Sequence, residues 1–523
     1  MKSNFLRRIY NTFFFSKIDK KLYNHFKIKE NSIKTNKKIL VQGVEDYYYF
    51  SLFGTIIKSL VKKNNNITME HYIPRNLAIG STTSVFGFLK STIFNTRYRD
   101  KKWSKLYSSY SHKMAFSNEG STKLSFDLLS FIKAYKIYKK IKNKKDVLNL
   151  SIDNINVGDL VYDSYLRYKP APIVDIDDFY LCIIIWQSLR NIQNSKTYFT
   201  NNKVIFLLTS YSSYIHHGIT ARVAIQHNVK VYAFGDYGSF YQELNEIYPF
   251  HSKNCRNYLN DFNKIKHNID LSLSKEALEN RFRGTIDLAT SYMQISAYKN
   301  NNENVPNVKA SVVIFLHDFF DSPHIYEHMV FCDFYDWIET TIELLISNNI
   351  NFFIKPHPNQ IDESKNVVED LKLKYKNLKF LSTKITNLQL VEHGIKAGIS
   401  VYGTVAHELA YLNIPVVLCG ENPHSCYNFC FEAKDIKEYS NLIKEINNLE
   451  VPKNSKYEIE SFYYMHNLLN TDEMLQLLKN ISDLRNLSAE LDDNLFEKYK
   501  QIIKLIINNK EFDSFILKLE ESL

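Results

Sequence analysis

The sequence predicts an α/β chain built from two Rossmann-like halves, and three observations carry that expectation. Between Lys309 and Gly420, short apolar runs alternate with longer stretches of helical period, the pattern of strands buried on both faces and joined by helices. Unusual polar residues stand where those runs end, as in Lys355-Pro356-His357-Pro358. Lys38 to Ile73 opens the same way, as an apolar run, a helical stretch and a second run.

Taken in order, Lys38 to Gln42 reads as a strand, Tyr47 to Lys62 as a helix and Ile67 to Ile73 as a strand. Gly80-Ser81-Thr82-Thr83-Ser84 is a small-residue loop, open between ligand contact and a simple turn. Helical patterns follow near 122 to 144, and Lys203 to Thr209 is an apolar strand. Ser210 to Tyr214 leads into a helix holding His216, His217, Gly218 and Arg222; Lys230 to Phe234 is the next strand, closed by Gly235-Asp236-Tyr237-Gly238. In the second half, Ser311 to Leu316, Asn351 to Ile354, Lys396 to Val401 and Ile414 to Leu418 read as strands. Asp333 to Ser347 reads as a helix, and a second helix opens at Gly403-Thr404. Beyond Gly420 the pattern is helical, with Asp435 to Asn448, then Glu458 to Leu469 crossing back to the first domain, then Leu and Ile at helical spacing to the end.

The strand ends of the second half carry the chemistry. Two prolines flanking His357 cannot continue a strand or enter a helix, so His357 belongs on a rigid turn at a strand's carboxyl end, where doubly wound sheets bind ligands. Ser400, Gly403 and Thr404 fall at a strand-to-helix turn, and a helix start offers free N–H groups and a positive dipole end to a phosphate. Glu408 lies one turn after Thr404, placed to accept hydroxyl hydrogen bonds from a ribose or sugar. His317 and Asp318 end the first strand of this half, and Asp321-Ser322-Pro323-His324 follows. With Lys355 and His357 as phosphate contacts, the set fits a sugar nucleotide.

A strand ending in Lys-Pro-His-Pro, then Ser-x-x-Gly-Thr-x-x-x-Glu at Ser400 to Glu408, then a Pro-Val-Val strand at Pro415, resembles the donor half of bacterial capsule and surface polysaccharide glycosyltransferases. The resemblance extends to capsule Kdo transferases, bacterial polysialyltransferases and, more distantly, glycerophosphate polymerases of teichoic acid synthesis. It covers about 110 residues well. It implies the GT-B fold, two Rossmann-like domains facing a cleft, here with a C-terminal helical extension. It also implies metal-independent, inverting sugar transfer from a nucleotide donor to a growing glycan or lipid-linked acceptor, with no cofactor. A CMP-linked acidic sugar is the favoured donor, with UDP and GDP sugars open. On this basis 1–37 is a leader, 38–300 the acceptor domain, 309–455 the donor domain and 456–523 the C-terminal helices. Lys355, His357, Ser400, Gly403, Thr404, Glu408, His317 and Asp318 would contact substrate.

An inverting transferase needs a general base for the acceptor hydroxyl and a stabiliser for the departing phosphate. His357 is a catalytic candidate on the phosphate side. Asp236 leads for the base, followed by Asp163 and Asp159, which with Arg167 would share a helix face, and by His217. A segment from Val157 to Arg167 is similar to one recurrent in the same group. Two other functions stay open: a polyol-phosphate transferase, and a noncatalytic glycan- or sugar-nucleotide-binding component of an assembly complex.

Composition excludes several classes. Hydrophobic residues make up 45% of the 523, enough for two large cores and too many for general disorder. Residues 1 to 38 hold eleven Lys or Arg against Asp19 and Glu30, a net of +9 in a chain of +10, so the remainder is near neutral, unlike a nucleic-acid binder. Phe5, Ile9 and Phe13 in that leader suit a basic amphipathic helix on an anionic membrane surface; the alternative is a leader packed on the first domain. No run is long enough to span a bilayer, and no apolar stretch with a small-residue cleavage site follows the basic residues, so a cytoplasmic protein, or one peripheral on the inner face, is expected. Six scattered cysteines fit a reduced protein, with Cys426, Cys430 and His424 close enough in sequence to consider a metal. No P-loop or dinucleotide fingerprint occurs, and Asp175-Ile176-Asp177 matches the Asp-x-Asp of metal-dependent transferases only as a tripeptide.

Overall fold

The computed structural model describes residues 15–28, 37–64, 67–73, 99–117, 124–287, 298, 303–320 and 322–523. The chain divides into two compact units, one of Met1–Lys169, Asp175–His251 and Asn470–Leu523, the other of Pro170–Val174 and Ser252–Leu469. Each is a Rossmann-like α/β unit around its own sheet.

In the first unit the strands β1 (Lys38–Gln42), β2 (Thr68–Ile73), β3 (Lys113–Ser117), β6 (Val204–Thr209), β7 (Lys230–Ala233) and β8 (Gln242–Leu244) form one sheet, while β4 (Ser151–Ile152) and β5 (Ile155–Asn156) make a small hairpin. The sheet order is β3-β2-β1-β6-β7-β8, parallel except for β8. Chain order therefore reverses between β1 and β6, whose carboxyl ends are Gln42 and Thr209, and a crevice outside such a reversal is the ligand position of this architecture. The edge strands β3 and β8 carry polar, poorly alternating sequences, so hydrophobic pattern does not reveal them.

In the second unit β9 (Val312–Phe315), β10 (Phe352–Lys355), β11 (Ala397–Ile399), β12 (Val416–Leu418) and β13 (Phe431–Glu432) are all parallel, in the order β10-β9-β11-β12-β13. Every residue of β9 to β12 is buried, as a sheet covered by helices on both faces requires. The helix Phe334–Ser347 shows how such cover forms. Asp333 caps it by accepting from the Asp336 N–H at 2.7 Å, worth about 1 kcal/mol, and Phe334, Trp337, Ile338, Thr341, Ile342 and Leu345 recur at helical spacing to fill the core. Order reverses between β9 and β11, next to His317 and Ser400.

Unit membership differs from the sequence boundaries in several places, Pro170–Val174 and the helical residues up to Leu469 among them, all of which belong to the second unit. Helices Tyr258–Ile265 and Ser272–Phe282, expected in the first domain, belong to the second unit, where Tyr258, Phe262 and Leu278 share a core with Phe462 and Tyr463. The helices Asp472–Ala489, Phe496–Ile507 and Lys510–Glu521 belong to the first unit; they pack on helix Tyr47–Lys63, and the Phe515 ring lies 4.4 Å from that of Tyr241, tilted by 37°. Part of the expected leader also folds into the first unit. Helix Lys17–Phe26 buries Leu22 and Phe26, with Phe26 edge-on to Phe50, while buried Asp19 accepts from the Tyr47 hydroxyl at 2.7 Å and pairs with Lys102. Phe5, Ile9 and Phe13, the Gly80 to Ser84 loop and Asp321 lie outside the described residues. Among the described residues no helix is long and apolar enough to cross a membrane.

Candidate functional site

The reversal point of the second sheet gathers His317, Ser400, Gly403 and Thr404. The Ser400 hydroxyl lies 3.2 Å from His317 Nε2, and the His317 ring stacks on Phe334 at 4.7 Å. Burial, then the neighbouring His357, pushes the His317 pKa down to about 3, so the ring is neutral at physiological pH. Gly403 has φ +113°, a left-handed backbone that a side chain would strain, and its N–H donates to Asn422 Oδ1 at 2.9 Å. Asn422 is itself fixed by donating to the Gly420 carbonyl and by the Ser425 hydroxyl. This turn starts helix Thr404–Tyr411, which among the described residues no side chain caps; the Ala406 N–H donates to the Gly403 carbonyl at 3.2 Å, and a helix start of this kind suits an anion.

Lys355 and His357 come from the end of β10. Lys355 is 3% exposed; its carbonyl accepts from the Leu316 N–H at 3.0 Å, while among the described residues its ammonium makes no hydrogen bond or ion pair. Burial lowers its pKa to about 8, with Glu408 opposing that shift. A buried ammonium without a close partner is costly, so an anion placed beside it would relieve that cost. His357 Nδ1 accepts from the Asn359 N–H at 3.2 Å, which in a neutral ring places the proton on Nε2 and makes that atom a donor. Burial and Lys355 lower the His357 pKa to about 4, against the pull of Asp318, so the ring is neutral near pH 7.

Two expected ligand contacts are already engaged by protein. Glu408 is 1% exposed; its Oε1 accepts from Arg281 Nε at 2.6 Å and its Oε2 from the Tyr298 hydroxyl at 2.7 Å. Arg281 also pairs with Asp287 at 2.6 Å, and Tyr463 donates to Asp287. Burial opposes the charge on Arg281, but Glu408 and Asp287 outweigh it and raise its pKa. The Glu408 carboxylate is thus the centre of a buried ionic network rather than a free hydroxyl acceptor. Asp318 accepts from the Phe320 and Ile361 N–H groups and from the Ser364 hydroxyl, clamping the loop after β9 to the start of helix Asp362–Lys374. Its role is to shape the loop that carries His317.

The carboxyl edge of the first sheet is also polar. Gln42 bridges the reversal point, accepting from the Ser210 N–H at 2.9 Å and donating to the Tyr72 hydroxyl at 3.0 Å. His217 Nδ1 lies 3.4 Å from the Ser210 hydroxyl, and burial, then His216 and His251, push its pKa well below the ordinary value. A histidine so weakly basic is poorly matched to a general base near neutral pH. Asp236, half-buried after β7, accepts from the Gly238 N–H at 3.1 Å and the Ser239 hydroxyl at 2.9 Å, which fixes its carboxylate on the turn. The close packing of Gly235 against Tyr211 and His251 holds that turn at the sheet edge. Asp159 and Asp163 lie on helix Gly158–Tyr168; Asp159 is paired with Arg222, not with Arg167, and Asp163 is buried. Asp175 accepts from the Asp177 N–H at 3.0 Å, so the Asp-x-Asp tripeptide is a turn leading into helix Phe179–Asn201. Among the described residues no group of three or more His, Cys, Asp or Glu could hold a metal, Cys426, Cys430 and His424 included.

Sequence reasoning missed Asn422, Arg281, Tyr298 and Asp287. Asn422 carried a signal, since it follows the end of β12. Arg281 carried none, being 127 residues from Glu408.

No family model matches this chain, and no curated protein matches it. Solved structures do align. The S. aureus MnaA–UDP complex is 9% identical, covering 90% of this chain and 98% of that one at a TM-score of 0.25. UDP-GlcNAc 2-epimerase from Neisseria meningitidis bound to UDP-GlcNAc is 12% identical, covering 88% and 100% at 0.24. The wall teichoic acid polymerase TagF is 11% identical, covering 94% and 96% at 0.21. At these scores the alignments add nothing to the chemistry of the residues described above.

Proposed function

We propose that this chain is a GT-B glycosyltransferase that moves a sugar from a nucleotide-sugar donor to a growing surface glycan, of capsule or lipopolysaccharide type, with inversion and without a metal. The observation that carries the reading is Lys355, a buried lysine at a strand's carboxyl end whose ammonium has no hydrogen-bond or ion-pair partner among the described residues. In this reading the donor phosphate sits at the open start of helix Thr404–Tyr411. Lys355 supplies the charge, and His357 donates from Nε2 to a phosphate oxygen as negative charge builds on the leaving nucleotide. Preorganised donors of this kind are worth roughly 10²- to 10³-fold each in rate. Asp236 is the proposed base, removing the acceptor hydroxyl's proton as that oxygen attacks the anomeric carbon. A CMP-linked acidic sugar is the favoured donor.

Thermal shift against CMP, CDP, UDP, GDP and their sugars tests the donor site. One nucleotide series is expected to raise the midpoint by mass action, and His357→Ala is expected to remove most of that rise. No shift with any nucleotide would sink the donor reading. Asp236→Asn is expected to keep the nucleotide shift and to lose transfer by roughly 10²- to 10⁴-fold. Unchanged transfer in that variant would remove Asp236 from the mechanism, and a wild-type protein that binds nucleotide without any transfer would point to the noncatalytic binding component.

A further inference from the structure

Helix Leu124–Tyr138 of the first unit packs on helix Phe179–Asn201 with one side only. On that side the Ser130 hydroxyl accepts from Trp186 Nε1 at 2.9 Å, the Phe131 ring stands edge-on to that of Trp186 at 5.6 Å, and Ala134 and Tyr138 are buried. The other side is apolar where it begins and yet open to solvent: Leu128, Leu129, Ile132 and Tyr135 are 61%, 67%, 43% and 42% exposed. Four large apolar side chains gathered on one helix face mark an interaction surface, unlike apolar residues scattered singly. Leu128, Ile132, Tyr135 and Lys139 recur at i, i+4, i+7 and i+11, the spacing of a coiled-coil seam, with Leu129 and Lys136 flanking it. The Lys139 N–H still donates to the Tyr135 carbonyl at 3.0 Å, so the seam runs through the last turn.

This seam changes character along its axis. Its first turns are apolar, whereas seven lysines fall between Lys133 and Lys145, and no Asp or Glu lies anywhere from 128 to 145. Lys133 pairs with Asp153; Lys136, Lys139 and Lys140 are exposed and, among the described residues, in no ion pair. The axial change selects the occupant. A bilayer interface separates apolar from charged across a helix, so a helix lying flat in it would carry Lys136 and Lys139 down with Ile132. A second copy of this chain is mismatched in either direction: parallel docking sets lysine against lysine, and antiparallel docking sets the lysines on Leu128 and Leu129. A different helix running alongside can match the change, apolar against apolar and acidic against basic.

We propose that this face docks one acidic amphipathic helix of a partner protein, apolar where it meets Leu128 to Tyr135 and rich in Asp or Glu where it meets Lys136, Lys139 and Lys140. Docking here uses neither the donor turn nor Asp236, so it holds whether or not the chain transfers a sugar.

The test is fluorescence anisotropy of labelled synthetic helical peptides titrated with the full chain, at about 0.15 M salt so that diffuse attraction is screened. Two acidic peptides about three heptads long carry Leu at a and d in one half and Glu at the facing positions of the other. One has the acidic half first and one has it last, which covers parallel and antiparallel docking; twins with Lys for Glu are the controls. One acidic peptide is expected to bind at least tenfold tighter than its lysine twin. Ile132→Ser is expected to weaken that binding at least tenfold, and Lys136→Glu combined with Lys139→Glu to reverse the preference toward the lysine twin. The thermal midpoints should stay at the wild-type value, because all three side chains are exposed. Absence of binding by both acidic peptides, or equal binding of a peptide and its lysine twin, overturns the proposal. Self-association in sedimentation that Ile132→Ser abolishes would assign the face to a second copy instead. Cosedimentation with phosphatidylglycerol vesicles that the same variant abolishes, with neither acidic peptide bound, would assign it to a membrane.

Discussion

Lys355→Met is expected to make the protein more stable while it loses its nucleotide. A lysine whose pKa falls from 10.5 to about 8 on folding costs the native state up to about 3 kcal/mol as long as it stays charged. Methionine fills much the same volume without that cost, so urea unfolding at pH 7 should give a gain of that order. The gain depends on pH with a definite sign. Between about 8 and 10.5 the unfolded chain holds the Lys355 proton and the folded wild type has released it, so wild-type stability rises with pH across this window and the advantage of the variant fades. Nucleotide affinity should fall roughly 10- to 100-fold, the worth of a hydrogen bond to a charged group. Equal or lower stability in the variant would show that Lys355 is satisfied within the fold and is not held for a ligand.

Arg281→Ala is expected to act in the opposite direction. Removing the guanidinium leaves Glu408 and Asp287 as carboxylates without their shared counter-charge, Glu408 being almost wholly buried. Breaking a buried pair from one side costs about 3–5 kcal/mol, which lowers the thermal midpoint by roughly 10 °C for a unit of this size. Pairing Arg281→Met with Glu408→Gln should recover part of the loss, because the second change removes the orphaned charge. A midpoint within 2 °C of wild type for Arg281→Ala, on that same size scaling, would mean that solvent reaches the network.

These two residues show how far the sequence could be read. Lys355 was legible because its signal is local: an apolar run, then two prolines that force a turn, with the basic residue at the junction. Ser400 and Gly403 were legible for the same reason, each marking a strand-to-helix turn. The competing demand on Glu408 was not, since helical spacing from Thr404 places its side chain but says nothing about Arg281 or Tyr298, which reach it from 127 and 110 residues away. Asp159 gave a similar outcome. Helical spacing placed it on one face with Asp163 and Arg167, and the fold supplies Arg222 from another helix as its partner.

What the sequence by itself determined is the pair of α/β units and the strand ends of the second, because period, breakers and buried runs are encoded within a few residues of where they act. The tertiary structure alone decided which carboxylates are spent in ion pairs, that Lys355 is left without one among the described residues, and that a C-terminal helix carries Arg485 to the edge of a sheet whose first strand lies some 440 residues earlier. Those outcomes depend on side chains that meet only after the sheets close, and a charge's partner is fixed by distance in space, which no local pattern records.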